Sequence, residues 1–133
     1  MRTVFADTHY FFAFFNERNS AHLKSTEFTV RFAGRMITSN WVLMEVADGW
    51  ADPECRGRFV LLLEELRSNP NATIVPFSSE LFEAGLALYS ARPDKAWSLT
   101  DCISFVVMER EGLTEALSGD RHFEQAGFIA LLK

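Results

Sequence analysis

The sequence has almost no cysteine, no surplus of positive charge and no long apolar run, and each absence closes off a class of protein. Its two cysteines, Cys55 and Cys102, lie far apart and outside any C-x-x-C spacing. A disulfide framework and a cysteine zinc site therefore give way to small buried thiols in a reducing compartment. No apolar stretch nears the ~20 residues that a bilayer span needs. No charged-then-apolar leader ending in small residues is visible, so a cytoplasmic protein without membrane attachment is expected. The P-loop pattern G-x-x-x-x-G-K-[ST] is missing, which excludes that enzyme class. Basic residues number 13 against 18 acidic, a net charge of −5. Taken alone, that balance argues against a nucleic acid partner. There is no internal repeat and no low-complexity segment.

What is present is a dense apolar pattern with thirteen phenylalanines in 133 residues, the length of a single domain spanning 1–133. Short strand-like runs alternate with longer runs at helical spacing. "RTVFA", "RMITS", "ATIVPF" and "TEALS" read as four strands, and "FIALL" as a candidate fifth. Between them, "THYFFAFFN" with Thr8 as N-cap, "SAHLKSTEFTVRFAG", "NWVLMEVADGWA" capped by Asn40, "ECRGRFVLLLEELRSN", "SSELFEAGLALYSAR" and "SLTDCISFVVMEREG" read as helices. Alternation of this kind predicts an α/β fold, a central mainly parallel sheet of four to five strands flanked by helices. In such sheets, ligand chemistry collects at the carboxyl ends of the strands.

Four acids stand where that chemistry belongs. Asp7 follows "RTVFA" directly, and Asp120 follows "TEALS" after one glycine. Each has an ordinary explanation, Asp7 as a helix N-terminal acid and Asp120 as a turn residue. Glu45 interrupts the apolar run "WVLMEVA", and a carboxylate buried in such surroundings must be paired, protonated or metal-bound. Asp101 completes a capping box with Ser98, yet it also points along the apolar face of its helix. If the four converge, mutual repulsion raises their pKa values unless a cation lies between them. Oxygen donors without cysteine or paired histidine select Mg²⁺ or Mn²⁺. His9 and His22 read as structural. His122, beside Arg121, either reaches a phosphate or lies on the surface.

At these four places the chain resembles the PIN-domain nucleases, in particular the small VapC toxins of toxin–antitoxin pairs. The segments that carry the resemblance are "VFADTHYFFAFFNERNSAH" with Asp7, "ITSNWVLMEVADGW" with Glu45, "SLTDCISFVVMEREG" with Asp101 and "ALSGDRHFEQAGF" with Asp120. They occur in the family's order and span nearly the whole chain. One departure is His9, where the family usually has Ser or Thr. The resemblance implies a PIN-like fold and endoribonuclease activity dependent on Mg²⁺ or Mn²⁺. It also implies a structured RNA substrate, a homodimer and a small antitoxin partner, with Asp7, Glu45, Asp101 and Asp120 as catalytic and metal-holding residues.

Setting the four site acids aside leaves 14 acidic residues against 13 basic, a nearly neutral remainder. Arg56, Arg58, Arg92, Lys95 and Arg121 are candidate phosphate contacts. "THYFFAFF" holds five aromatics in eight residues, more than one face of a two-turn helix can bury, which predicts an interface. Two other classes are weighed. A phosphatase of the haloacid dehalogenase type wants a second Asp two residues after the first, where this chain has His9. A catalytically inactive PIN-fold module that binds protein or RNA has no need of all four acids.

Overall fold

The computed structural model describes residues 1–133. The strands are β1 (Thr3–Ala6), β2 (Arg35–Ser39), β3 (Ala72–Val75), β4 (Glu115–Leu117) and β5 (Ile129–Ala130). The helices are α1 (Thr8–Phe15), α2 (His22–Arg31), α3 (Asn40–Gly49), α4 (Pro53–Ser68), α5 (Ser79–Ala91), α6 (Leu99–Arg110) and α7 (Arg121–Gln125). The strands form one sheet in the order β3-β2-β1-β4-β5, and every pairing is parallel. The expected parallel sheet is therefore present, with "FIALL" contributing a strand of only two residues. No helix is long and apolar enough to cross a membrane.

The topology marks one place on this sheet. From β1 the chain winds outward through β2 to β3, then returns to the other side of β1 for β4 and β5. The reversal lies between β1 and β4, and a crevice opens outside the carboxyl ends of strands at such a switch point. Phe5 pairs with Ala116 and Ala6 with Leu117. The next residues, Asp7 and Ser118, thus leave the sheet side by side.

Helix ends are set by local chemistry. Ser98 closes a full capping box with Asp101, each side chain bonding the other's backbone N–H. Ser78 caps α5, its side chain accepting from Leu81 N–H. The cap of α3 is Ser39, whose side chain accepts from Val42 N–H, and not Asn40. The hydroxyl on the last residue of β2 already reaches the first turn. Likewise the N-cap position of α1 is Asp7, not Thr8, and Asp7 makes no side-chain cap bond there. Its carboxylate is directed elsewhere. Helices α6 and α7 both end in Schellman motifs. Leu113 N–H bonds Met108 O and Gly112 N–H bonds Glu109 O, a pattern repeated by Phe128 to Phe123 and Gly127 to Glu124. Both motifs place a glycine at positive φ, 67° at Gly112 and 96° at Gly127, where other residues are strained. Each turn feeds directly into a strand.

Val4, Phe5 and Ala6 of β1 and Ala116 and Leu117 of β4 are fully buried at the centre of the core. Trp97, Phe105, Phe123 and Phe128 form an aromatic chain with ring centroids 5.0–5.8 Å apart. It fastens α7 and the loop before α6 to the body of the fold. Helices α5 and α6 approach closely at Gly85, where an added Cβ would lie 2.3 Å from Ile103 Cγ1 and 3.2 Å from its backbone N and Cα. Gly85→Ala gains up to ~1 kcal/mol in helix propensity but overpacks this contact at a cost of ~1–3 kcal/mol. The clash wins, and a lowered Tm is expected. Gly85→Ala/Ile103→Ala should lose less than the sum of the single changes, read from denaturant melts of all four proteins. Strict additivity would show that the two residues do not share the contact.

Candidate active site

Asp7 is buried, 6% exposed. Its Oδ2 accepts a bond of 2.9 Å from Ser118 Oγ across the β1–β4 crevice. Ser118 Oγ in turn accepts from Asp120 N–H at 3.1 Å. One hydroxyl thus links the acid at the end of β1 to the acid that follows β4. Thr38 Oγ1 ties β2 to the same region by donating to Ala6 O at 2.9 Å.

Asp120 caps α7, accepting from His122 N–H at 2.9 Å. This short helix was not expected from the sequence. It turns the His122 ring inward, so that Nδ1 lies 3.1 Å from Asp101 Oδ2 and 3.2 Å from Asp120 Oδ2. His122 is therefore neither a surface residue nor a bare phosphate contact, because it stands between two carboxylates. Asp101 Oδ2 also accepts from Ser98 N–H at 3.1 Å. The capping role and the site role of Asp101 coexist on one oxygen. Donor atoms of Asp101, Asp120 and His122 all lie within 4.8 Å of one another.

Glu45 differs from expectation. It is exposed, and so are its neighbours Met44, Asp48 and Gly49. The buried stripe of α3 runs through Trp41, Val42, Leu43 and Val46, and Glu45 stands at its border. Apolar neighbours in sequence did not mean apolar neighbours in space. What directs Glu45 to the site is Thr8, whose Oγ1 donates to Glu45 Oε1 at 2.6 Å.

The electrostatics of the cluster fall mainly on Asp7. Its pKa is raised from 3.8 to about 7, first by burial, then by the charges of Asp101 and Glu45, with the Ser118 and Thr8 bonds opposing. Three of the predicted acids thus act on one another across the crevice. Asp120 and His122 join through Ser118 and Asp101. On the other side of Asp120, His9 Nδ1 accepts from Gly119 N–H at 3.1 Å. Burial holds the His9 imidazole below its ordinary pKa, with Asp120 opposing. His22 is structural as read, its Nδ1 2.8 Å from Ala13 O. Ser118 and Thr8 escaped notice as site residues, although the register that sets Ser118 beside Asp7 follows once β1 and β4 are paired.

The donor set suits a divalent cation. It offers carboxylate oxygens with one imidazole nitrogen, and a buried acid whose pKa is raised first by desolvation and then by the like charges of Asp101 and Glu45. Without metal, the unfolded chain ionises Asp7 near pH 3.8 and the folded chain only near about pH 7. Asp7 therefore favours folding fully below the lower value, and this contribution is lost as pH rises through the higher one. Asp7→Asn should be equal to the wild type or more stable at neutral pH, its advantage growing from about pH 4 to about pH 7 and vanishing in acid. Thermal melts across that range, in chelator, test this. A Tm difference independent of pH would show that Asp7 titrates normally.

Comparison with known proteins agrees with this geometry. The family model described as PIN domain matches residues 4–129. The chain is 24% identical over 128 residues to the 23S rRNA-specific endonuclease VapC20 of Mycobacterium tuberculosis, in strains CDC 1551 / Oshkosh and ATCC 25618 / H37Rv, with 95% of both chains covered. A crystal structure of M. tuberculosis VapC20, described as a sarcin–ricin loop cleaving toxin, superposes with a TM-score of 0.84 over 95% of this chain and 96% of that one, at 24% identity. The structure of FitAcB from Neisseria gonorrhoeae gives 0.69 over 96% and 94%, at 15% identity. With the family model matching residues 4–129, nearly the whole span from β1 to β5, the chain belongs to the PIN domain family.

Proposed function

We propose that this protein is an Mg²⁺- or Mn²⁺-dependent endoribonuclease, the toxin of a toxin–antitoxin pair, acting in the cytoplasm as a single domain. The observation that carries the reading is the convergence of Asp7, Asp101, Asp120 and His122, with Glu45 at the rim, on the one crevice that the topology opens. Asp101 and Asp120 would hold the cation together with Asp7. His122 is a further nitrogen donor or holds the two acids in place. Glu45 has one oxygen taken by Thr8, and its exposure leaves the other to orient water. A bound divalent cation lowers the pKa of water and offsets charge on phosphate oxygens, the chemistry of phosphodiester hydrolysis.

The substrate we infer is a folded ribosomal RNA loop, by likeness to the 23S rRNA-specific relative. Arg121 is exposed beside Asp120 and free to meet a phosphate. Arg92 is less available than the sequence implied, since it is paired with Asp94 and lies over Trp97. Incubation of the purified protein with total RNA and Mn²⁺, followed by end mapping, should yield discrete cuts that chelator abolishes. Asp101→Asn and Asp120→Asn should each lose at least ~100-fold in rate while keeping the fold. Metal-independent cutting, or full activity in either variant, would refute the assignment.

Partners are read from the apolar surface. Phe12, Phe14 and Phe15 of α1 are only partly buried, as five aromatics in eight residues implied. Tyr10, Phe14 and Phe15 line a groove with Leu61, Leu62 and Leu66 of α4, and Leu61 is 64% exposed. A small antitoxin laying an amphipathic helix there would cover it. A second apolar face runs from Phe77, edge-on to Trp41, to the exposed Phe82 and Tyr89 of α5, and supports a homodimer. Leu61→Glu should abolish capture of the co-expressed antitoxin without changing RNA cleavage. Undiminished capture would place the antitoxin elsewhere.

A further inference from the structure

His9 stands two residues after Asp7 on α1, and Gly119 lies between Ser118 and Asp120 in the turn that follows β4. They meet although 110 positions separate them. Gly119 N–H donates to His9 Nδ1 at 3.1 Å. A backbone N–H can only donate, so Nδ1 is the unprotonated nitrogen and the ring carries its hydrogen at Nε2. The ring also takes the space that a side chain at 119 would need. A Cβ built there would lie 2.7 Å from His9 Cε1 and 3.3 Å from both ring nitrogens. The glycine and the histidine are fitted to each other by shape and by hydrogen bond.

This contact bears on the turn that aims Asp120. Ser118 Oγ holds the turn at the Asp120 amide, and His9 holds it one peptide earlier. Asp120 in turn caps α7 and so places His122. We infer that His9 is a positioning residue for this site: it fixes the Gly119 peptide and thereby sets the Asp120 carboxylate and the His122 ring against Asp101. The inference rests on the proposed role of Asp120 in holding a cation. Residues that orient ligands in this way are worth about ten-fold or more in metal affinity or activity. A ring that only filled space would be replaceable by any group of the same shape.

Substitutions at position 9 separate these roles. Asparagine presents an acceptor oxygen near the place of Nδ1, whereas phenylalanine keeps a ring and removes the acceptor. In His9→Phe, Tm should stay near the wild type and the Gly119 amide should exchange faster with solvent. Calorimetric Mn²⁺ affinity and the single-turnover cleavage rate should each fall about ten-fold. His9→Asn should restore most of both. Gly119→Ala, which displaces the ring, should behave like His9→Phe and takes its place in the comparison should that variant not fold. Wild-type Mn²⁺ affinity and Gly119 protection in His9→Phe would overturn the inference, as would His9→Asn being equally impaired. If the wild type binds Mn²⁺ but cleaves no RNA, the ribonuclease reading fails. Metal affinity and amide exchange still decide the role of His9.

Discussion

The parallel pairing of β1 with β4 is the constraint on which the site depends. Those strands lie side by side although more than a hundred residues separate them, and their register sets Asp7 beside Ser118. One hydroxyl then does two things: it donates to Asp7 and accepts from the Asp120 amide. Slipping the register by one residue would turn Asp7 to the other face of the sheet. The acids would then be scattered with no change in composition. A buried sheet specifies its register strongly because each slip moves an apolar set out of the core, and Val4, Phe5, Ala6, Ala116 and Leu117 are all fully buried. Core packing therefore fixes the geometry of the polar site at its edge.

The same packing makes the site costly. Asp7 is out of water with like charges on two sides, and only Ser118 and the Thr8 amide oppose the resulting strain. Asp101 Oδ2 carries a backbone amide and an imidazole nitrogen together. Helix capping is worth about 1 kcal/mol, so the device that holds the Asp101 carboxylate at the crevice also stabilises α6. Asp120 repeats this economy as the cap of α7. Acids that serve the crevice and also end a helix are fixed by two independent demands, and fixed donors are what a cation site requires.

This double duty explains what the sequence could and could not reveal. The parallel sheet, most of the helices and the positions of Asp7, Asp101 and Asp120 were legible because strand ends, caps and periodicity are local signals. Glu45 was legible by position, but for a wrong reason. "WVLMEVA" looks uniformly apolar, yet Met44 is 51% exposed and Glu45 faces solvent at the border of the stripe. Helix α7 was hidden because five residues carry no periodicity. With it went the inward aim of His122, which depends on that turn and on the Trp97–Phe105–Phe123 chain beneath it. Ser118 reaches Asp7, and His9 reaches Gly119, across more than a hundred positions, so no window of sequence shows either contact.

Charge distribution completes the argument. For an acidic member of a nuclease family, charge counted over the whole chain is a poor guide. Four of the 13 basic residues are committed to carboxylates of this protein, Arg2 to Glu115, Arg92 to Asp94, Arg110 to Glu80 and Lys133 to Glu124. Those four charges are largely neutralised by partners within the chain. In the proposed reading, phosphate is drawn to the crevice, where a bound cation would reverse the local sign, with the exposed Arg121 beside it. On that reading, a backbone would bind where the RNA's own fold brings a phosphate into the crevice. Selectivity would then rest on RNA shape, since the nearly neutral remainder of the chain supplies little general attraction for a strand.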